Sequence, residues 1–295
     1  MTKKSISSKK RLYILVGILA IASLGFRLIN NFHLEQTSFL FIGLPALLTL
    51  LTIKYTNKPK SKMGVVIKTI TLFLLMSSII LGEGVICIIM AAPLFYGVGA
   101  LIVIAINYFN KEDSDKIPFL VFPLLVFLAQ PIDNKNEIQS IETRRTINQK
   151  ISFEAMQQEP DFVKNLPKLL KIGFPKPVST KGSGIQIGDI RNIQFESQTK
   201  GIGTLSLQVV EKTELKMVFE IIQDDTHIDH WLSWKNVQVE LVHTNENTTE
   251  IHWTSDYVCN LQPSWYFKPI EAYTVDLMNQ HLIDAYFNSD INFNN

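Results

Sequence analysis

Residues Val65 to Phe109 read VVIKTITLFLLMSSIILGEGVICIIMAAPLFYGVGALIVIAINYF, and this stretch decides how the rest of the chain is organised. A membrane-spanning helix takes about 20 apolar residues at about 1.5 Å each, so the stretch is roughly two crossings long. The fold-back point is Gly82-Glu83-Gly84, because a carboxylate between two glycines is costly in hydrocarbon and suits a turn at the water interface. The stretch therefore predicts a helical hairpin. An ion-transfer role for Glu83 is the alternative, but the span residues supply no second acid.

Two further apolar runs precede this hairpin, from Leu12 to about Ile29 and from Ser38 to about Tyr55. Basic residues crowd the segment Met1 to Arg11, and lysines recur between Lys54 and Lys62, whereas the loop from Asn30 to Thr37 has no Lys or Arg. Cytoplasmic loops carry the excess of positive charge. We therefore expect the amino end and the lysine-rich loop to be cytoplasmic.

A fifth apolar run, IPFLVFPLLVFLAQPI from Ile117 to Ile132, is short and contains Pro118, Pro123 and Pro131. It reaches roughly 24 Å, which is less than the roughly 30 Å of a bilayer core. Either it is a kinked fifth crossing, or it is a re-entrant or interfacial segment. Its lack of charge favours a crossing, since an interfacial helix normally shows a polar face. About five spans would then anchor an integral membrane protein with its carboxyl-terminal domain outside the cytoplasm.

The charge of the chain differs between its two parts. Residues 1–131 contain 13 Lys+Arg and 5 Asp+Glu, which leaves 15 and 22 of the totals of 28 and 27 for the remainder. The first part is thus net +8 and the second net −7. Because the basic residues flank apolar spans and the water-soluble part is acidic, we expect no nucleic-acid partner. Cys87 lies in a predicted span and Cys259 in the soluble part, so they predict no disulfide.

The chain becomes polar after Ile132, which predicts an anchor over 1–132, a linker over 133–142 and a folded domain over 143–295. We expect a first strand from Arg144 to Phe153 and two short helices between Glu154 and Leu170, with GFPKP (173–177) as a rigid loop. Apolar residues at every second position then mark five strands. The markers are Ile193 and Phe195; Leu205, Leu207 and Val209; Leu215, Met217, Phe219 and Ile221; Val237, Val239 and Leu241; and Ile251, Trp253 and Tyr257.

A long final helix is predicted from Pro269 to about Phe287, with Glu271 in its first turn. Its apolar stripe runs through Ile270, Thr274, Leu277, Met278, His281, Leu282 and Ala285. Short turns between consecutive strands indicate antiparallel pairing. The fold class is therefore an α-helical transmembrane region followed by an α+β domain, in which a curved antiparallel sheet holds a long carboxyl-terminal helix.

Three short motifs, GFPKP, GDIRNIQFE and YVCNLQPSWYF (257–267), together with the final helix, resemble the START-like (SRPBCC) superfamily, which includes polyketide cyclases and lipid-transfer proteins. The chain is similar to bacterial members that carry such a domain behind several membrane spans. The resemblance implies a helix-grip fold with a deep apolar cavity between sheet and helix. It also implies a bilayer and a hydrophobic small molecule or lipid as partners, at the inner membrane of a bacterium.

Arg191 is the most informative residue of the soluble part. Counting by twos from Ile193 and Phe195 places it, with Asp189, on the apolar face of its strand. It matches the arginine in the superfamily's Gly-x-x-Arg-x-x-x-Phe pattern. A guanidinium there suits a ligand carboxylate or phosphate. The alternative is a structural pair with Asp189 or with a buried backbone carbonyl.

Other side chains of the domain are candidates for contacting a ligand. His281 lies on the helix stripe, where it serves either as a polar handle or, as is commoner, as a satisfied core histidine. Trp253 is a core residue by default. The full set of expected ligand-binding residues is Arg191, Phe195, Phe219, Trp253, Tyr257, Tyr266, Tyr273 and His281.

The segment DDTHIDH (224–230) contains metal-ligand residue types, but its position between strands favours a solvated loop. We expect no metal and no cofactor. The favoured function is membrane-tethered binding of a hydrophobic small molecule or lipid. One alternative is a cyclase, dehydratase or hydrolase that uses the same cavity, with Arg191, His281 and Tyr257 as candidates. The other is an interaction module whose own side chains fill the cavity.

Overall fold

The computed structural model describes residues 61–81, 85–109, 137–162, 166–172, 174–182, 184–197 and 201–287. The chain divides into two compact units, Met1–Ile132 and Asp133–Asn295. Two helices are described in the first unit, α1 (Lys62–Leu81) and α2 (Val85–Phe109).

Helices α1 and α2 pack against each other along their length. The rings of Phe73 and Phe95 stack with centroids 5.9 Å apart, and the hydroxyl oxygens of Thr71 and Tyr96 lie 2.8 Å apart. The later of these two α1 residues contacts the earlier of the two α2 residues, so the helices run antiparallel. This is the arrangement that the predicted hairpin requires, although its tip at 82–84 lies outside the described residues.

Helix α2 contains the segment Ile88–Asn107, which is long and apolar enough to cross a membrane. It is the only helix in the described part of the chain that meets this criterion. The spans predicted before residue 61 and between 117 and 132 lie outside the described residues. Two of the predicted crossings therefore coincide with observed helices, and one of these helices has the composition of a span.

The second unit is built on one seven-stranded antiparallel sheet. Its strands are β1 Ile138–Ile147, β2 Lys176–Lys181, β3 Ile190–Ser197, β4 Gly201–Lys212, β5 Lys216–Asp224, β6 Leu232–Asn245 and β7 Thr248–Cys259. The strand order is β1-β7-β6-β5-β4-β3-β2. The sheet is thus a meander from β2 to β7, with β1 added beside the last strand. This agrees with the antiparallel pairing that the short turns predict.

Strand β7 shows most clearly why these residues form a sheet. Every second residue from Thr249 to Cys259 is buried, and the residues between them are half-buried. Side chains alternate between the two faces of a strand, so the pattern gives β7 one inner face. Helix α3 (Ser264–Phe287) covers that face.

Helix α3 runs antiparallel to β7 and is tied to it by polar contacts. The thiol of Cys259 donates to Glu271 Oε1 at 3.3 Å, and the hydroxyl of Ser255 donates to Asn279 Oδ1 at 2.8 Å. Strand β1 adds a further hydrogen bond to α3, in which Thr143 Oγ1 donates to Asp276 Oδ1 at 2.6 Å. These hydrogen bonds give buried polar side chains of a helix of mixed composition partners on the sheet.

The sheet curves around α3. The ring of Tyr286 stacks on Trp253 of β7 with centroids 6.4 Å apart, and the guanidinium carbon of Arg191 on β3 lies 5.0 Å from the centre of the same ring. Four strand spacings separate β3 from β7, which in a flat sheet would be roughly 19 Å. Because Arg191 of β3 and Trp253 of β7 both contact Tyr286, the sheet must curve around the helix. This is the helix-grip arrangement predicted for this unit.

The first strand and the linker differ from their predicted bounds. Strand β1 runs from Ile138 to Ile147 rather than from Arg144 to Phe153, so residues 138–142 of the predicted linker pair with β7. Among the described strands, β1 pairs with β7 alone and forms one edge of the sheet. Such an edge strand accepts polar side chains, which the apolar alternation criterion overlooks.

Three other elements also differ. The two predicted short helices are 3-10 turns, Phe153–Gln157 and Leu170–Ile172, because prolines at 160 and 167 interrupt any longer helix. Lys176 and Pro177, the last two residues of the predicted loop at 173–177, belong to strand β2. Helix α3 begins at Ser264, five residues before Pro269, so Glu271 lies beyond its first turn.

Candidate ligand-binding site

An open pocket of about 600 Å³ lies beside the edge strand β2. Its apolar wall comes largely from the segment between β1 and β2, where Phe162, Leu166, Leu170 and Phe174 recur every four residues and are all buried. The rest of its described lining is Lys171, Lys176, Pro177, Val178, Glu196 and Ser197. Ligand pockets in proteins typically measure about 300–1,000 Å³ and are largely apolar with a few polar groups. The pocket has the size and the lining of such a site.

The pocket has an apolar base and a charged rim. Lys176 on β2 forms an ion pair with Glu196 on β3 at 2.9 Å, and both side chains are well exposed. Lys171 is also exposed. The rim thus carries two ammonium groups and one carboxylate, which leaves one positive charge in excess near the opening.

Phe162 connects the pocket to the interior beneath α3. Its ring packs edge-on against Tyr286 with centroids 5.9 Å apart, and it lies 6.5 Å from the ring of His281. The carbonyl oxygen of Phe162 lies 3.0 Å from His281 Nε2. The inner wall of the pocket is therefore fixed by the carboxyl-terminal half of α3.

His281 is a buried residue hydrogen-bonded to the backbone, as the commoner of its two sequence interpretations predicts. Burial lowers its pKa, and the bond to the Phe162 carbonyl opposes that change. A neutral imidazole with its proton on Nε2 donates to this carbonyl. His281 thus positions Phe162, and its ligand-binding role remains a prediction.

Arg191 is buried, with 1% of its surface exposed. Its guanidinium donates to the carbonyl oxygen of Met156 and lies over the ring of Tyr286. The backbone at Gly184, where φ is +52°, lies so close to Arg191 that a Cβ added to this glycine would be 2.7 Å from Arg191 Nε. A buried carbonyl partner is one of the alternatives that the sequence leaves for Arg191, and the structure shows it. Asp189 accepts backbone N–H groups at its own turn, at 3.0 Å from Gln186 and 3.4 Å from Ile185.

The remaining predicted ligand-binding residues lie in different places. Phe195, Phe219 and Trp253 are buried in the core, and Tyr266 is half-buried. Tyr273 is 60% exposed, and its ligand-binding role stays a prediction. The predicted stripe of α3 is confirmed in its carboxyl-terminal half, where Met278, His281, Leu282 and Ala285 are buried. In the preceding turns the structure buries Glu271 and Val275 in place of Ile270 and Thr274.

A buried polar cluster lies where β7 meets the amino-terminal half of α3. Glu271 is 3% exposed, and burial raises its pKa to about 8, although the Cys259 hydrogen bond and the charge of Lys268 oppose this. Burial and the neighbouring Glu271 also raise the pKa of the Cys259 thiol and of the Tyr257 hydroxyl. The thiol is therefore protonated and unreactive at neutral pH.

The described lining of the pocket includes none of the predicted ligand-binding residues. A signal for the pocket is present in the sequence, because Phe162, Leu166 and Leu170 have helical spacing. That spacing predicts helix packing rather than a pocket. In the structure the side chains of all three residues line the pocket beside β2, and Val178 on that unpredicted strand completes the wall.

The segment 224–230 forms a capped turn. Thr226 accepts a hydrogen bond from the Ile228 amide at 3.3 Å and donates to Asp224 Oδ1 at 2.6 Å. The rings of His227 and His230 lie 4.6 Å apart. Within the described residues, no group of three or more His, Cys, Asp or Glu side chains is placed to hold a metal.

The sequence matches no protein-family model and no curated protein. Among solved structures, it is similar to norcoclaurine synthase from Thalictrum flavum at 16% identity and a TM-score of 0.30, over 51% of this chain and 89% of that one. It is also similar to the Zhui aromatase/cyclase of Streptomyces sp. R1128, at 8% identity and a TM-score of 0.30, over 52% and 99%. A START superfamily protein from Mycobacterium smegmatis is similar at 12% identity and a TM-score of 0.33, over 50% and 96%. Similarity at this level transfers no activity or ligand to this chain.

Proposed function

We propose that the carboxyl-terminal unit binds a hydrophobic small molecule or lipid in the pocket beside β2. The observation that carries this proposal is the pocket itself, which combines about 600 Å³ of space, an apolar wall and a rim with an excess ammonium group. An alkyl or aromatic body suits the wall, and a polar or anionic end suits the rim. The ligand would thus lie with its polar end toward solvent.

We propose further that this binding unit is tethered to a membrane, as in the START-like proteins that the chain resembles. Helix α2 supports the tether, because Ile88–Asn107 has the length and composition of a span. The basic amino end and the lysine-rich loop support a cytoplasmic amino terminus. With five crossings the binding unit lies outside the cytoplasm, at a bacterial inner membrane, where a bilayer keeps hydrophobic ligands at high local concentration.

Blocking the pocket tests the proposed binding. Val178 is half-buried in the pocket wall, so Val178→Trp fills space there without removing core atoms. Val210 is 43% exposed and lies outside the described pocket lining, so Val210→Trp is the matched control. Binding of a fluorescent fatty acid should weaken at least tenfold in the first variant and be unchanged in the second. Equal affinity in wild type and Val178→Trp would show that the pocket is not the binding site.

A further inference from the structure

Helix α3 exposes uncharged rather than charged side chains. Its exposed residues are Trp265, Pro269 and Tyr273. The side chains of Trp265 and Tyr273 are large, and these residues are 54% and 60% exposed. Residues four positions apart lie on the same side of a helix, so the three form one strip along the first turns of α3. We call this strip the α3 ridge.

The charged side chains of these turns do not belong to the α3 ridge. Lys268 Nζ forms an ion pair with Glu137 Oε2 at 2.6 Å, and Glu271 is buried. A helix at the surface of a soluble protein normally exposes charged and polar residues to water. An exposed strip that is aromatic and uncharged therefore indicates an interaction surface.

The length of the chain before β1 indicates what this surface meets. The apolar run predicted at 117–132 ends at a membrane surface, whether it crosses the bilayer or lies along it. Five residues lead from Ile132 to Glu137, and five residues span at most about 18 Å. Glu137 is the residue that contacts Lys268, which directly precedes Pro269 of the α3 ridge. With the tether proposed above, the ridge is therefore close enough to reach the bilayer surface.

We propose that the α3 ridge docks on the headgroup region of the bilayer that anchors the chain. Trp and Tyr side chains concentrate in this region, because their rings are apolar while their N–H and O–H groups stay hydrated. The docking rests on the proposed tether but does not depend on the proposed binding. No ridge residue belongs to the described lining of the β2 pocket, and the Glu137 contact places the ridge beside β1, at the opposite edge of the sheet.

Tryptophan fluorescence of the full-length protein in phosphatidylcholine nanodiscs tests the docking, because Trp265 is the most exposed of the four tryptophans. Lipids brominated on their acyl chains quench a tryptophan that they contact. Brominated discs should therefore quench the wild-type emission relative to plain discs, and this difference should be lost in Trp265→Phe. Trp234→Phe removes a half-buried tryptophan of β6 and should leave the quenching in place. Because the ridge is uncharged, the quenching should be the same at low and high salt.

A charge on the α3 ridge tests the docking without changing the reporter. Tyr273→Glu places a carboxylate at an exposed ridge position and should reduce the quenching about threefold or more, because a hydrated anion replaces an aromatic ring at the bilayer. Val210→Glu is the matched control, since it introduces the same charge at a 43% exposed apolar residue of β4. Its quenching should equal that of the wild type.

The results that would overturn the docking differ from those that would overturn the tether. A protein that stays with the discs, but whose Trp265 is quenched by aqueous acrylamide and not by brominated lipid, keeps the tether and has a ridge in water. A Trp265 that neither quencher reaches would assign the ridge to a protein surface, such as a second copy of this chain. Equal quenching in wild type and Trp265→Phe would assign the bilayer contact to another tryptophan. A protein that does not co-elute with the discs would refute the tether, and the docking with it.

Discussion

The buried carboxyl group of Glu271 should make the stability of the second unit fall as pH rises. Burial moves its pKa from about 4.5 to about 8, so the folded protein keeps this proton at pH values where the unfolded chain has lost it. Between these two values the folded state binds more protons than the unfolded state, and rising pH therefore favours unfolding. Glu271 thus makes its full contribution to the free energy of unfolding below about pH 4.5. This contribution falls between about pH 4.5 and pH 8 and changes no further above about pH 8.

The size of the effect follows from the size of the pKa change. One pH unit corresponds to about 1.36 kcal/mol, so the ionisation penalty is about 3 kcal/mol at pH 7 and close to 5 kcal/mol above pH 8. Glu271→Gln removes the titration while keeping a polar side chain of the same shape. The variant should therefore keep a nearly constant free energy of unfolding from pH 5 to pH 9.

Urea unfolding from pH 5 to pH 9, followed by tryptophan fluorescence, measures this directly. All four tryptophans of the chain lie after residue 230, so the signal reports the second unit. Glu220→Gln on the exposed surface of β5 is the control and should keep the wild-type slope. If the wild-type protein and Glu271→Gln lose stability in parallel over this range, the buried carboxyl group is not the cause and the assignment of Glu271 is refuted.

The other predictions concern Arg191, its loop, the linker and the topology. Arg191→Met should cost about 2–4 kcal/mol of unfolding free energy in urea titrations, because a buried carbonyl loses a charged donor; an unchanged midpoint would remove the arginine from its structural role. Gly184→Ala should lower the melting temperature by several degrees, since its Cβ would contact Arg191 at a positive φ, and a neutral effect would contradict the close packing. A fragment starting at Asp133 should give a cooperative melt, whereas one starting at Thr143 lacks half of β1 and should melt lower; equal melts would show that the edge is dispensable. In a Cys-free background, Asn247→Cys, in the exposed β6–β7 turn, should react with a membrane-impermeant thiol reagent on intact cells, and labelling only after lysis would place this unit in the cytoplasm.

The strands could be predicted because their signal is local. In β7, for example, Ile251, Trp253 and Tyr257 mark one face by alternation alone, and the structure buries all three. The signal is weaker in the edge strands, since β1 and β2 each pair on one side in the described sheet and carry polar residues; the strand predicted from Arg144 overlaps only the end of β1, and β2 was not predicted. The bounds of β1 and the existence of β2 depend on pairing with β7 and β3, which the alternation of a single strand does not reveal.

The buried face of α3 was harder to predict for a related reason. Hydrophobicity selects Ile270 and Thr274, whereas the structure buries Glu271 and Asn279. Their polar groups contact Cys259 and other residues of the sheet, and such partners become visible only in three dimensions. The same holds for the site, because the superfamily pattern points to Arg191, whose charge contacts a backbone carbonyl inside the core.

Native mass spectrometry of the full-length protein, released from nanodiscs after purification from its cells, tests the central claim most directly. The account predicts a non-covalent hydrophobic adduct on the wild-type protein and on Val210→Trp, with strongly reduced occupancy in Val178→Trp. Wild-type spectra without any adduct, or adducts of equal occupancy in all three proteins, would contradict a ligand-binding pocket beside β2.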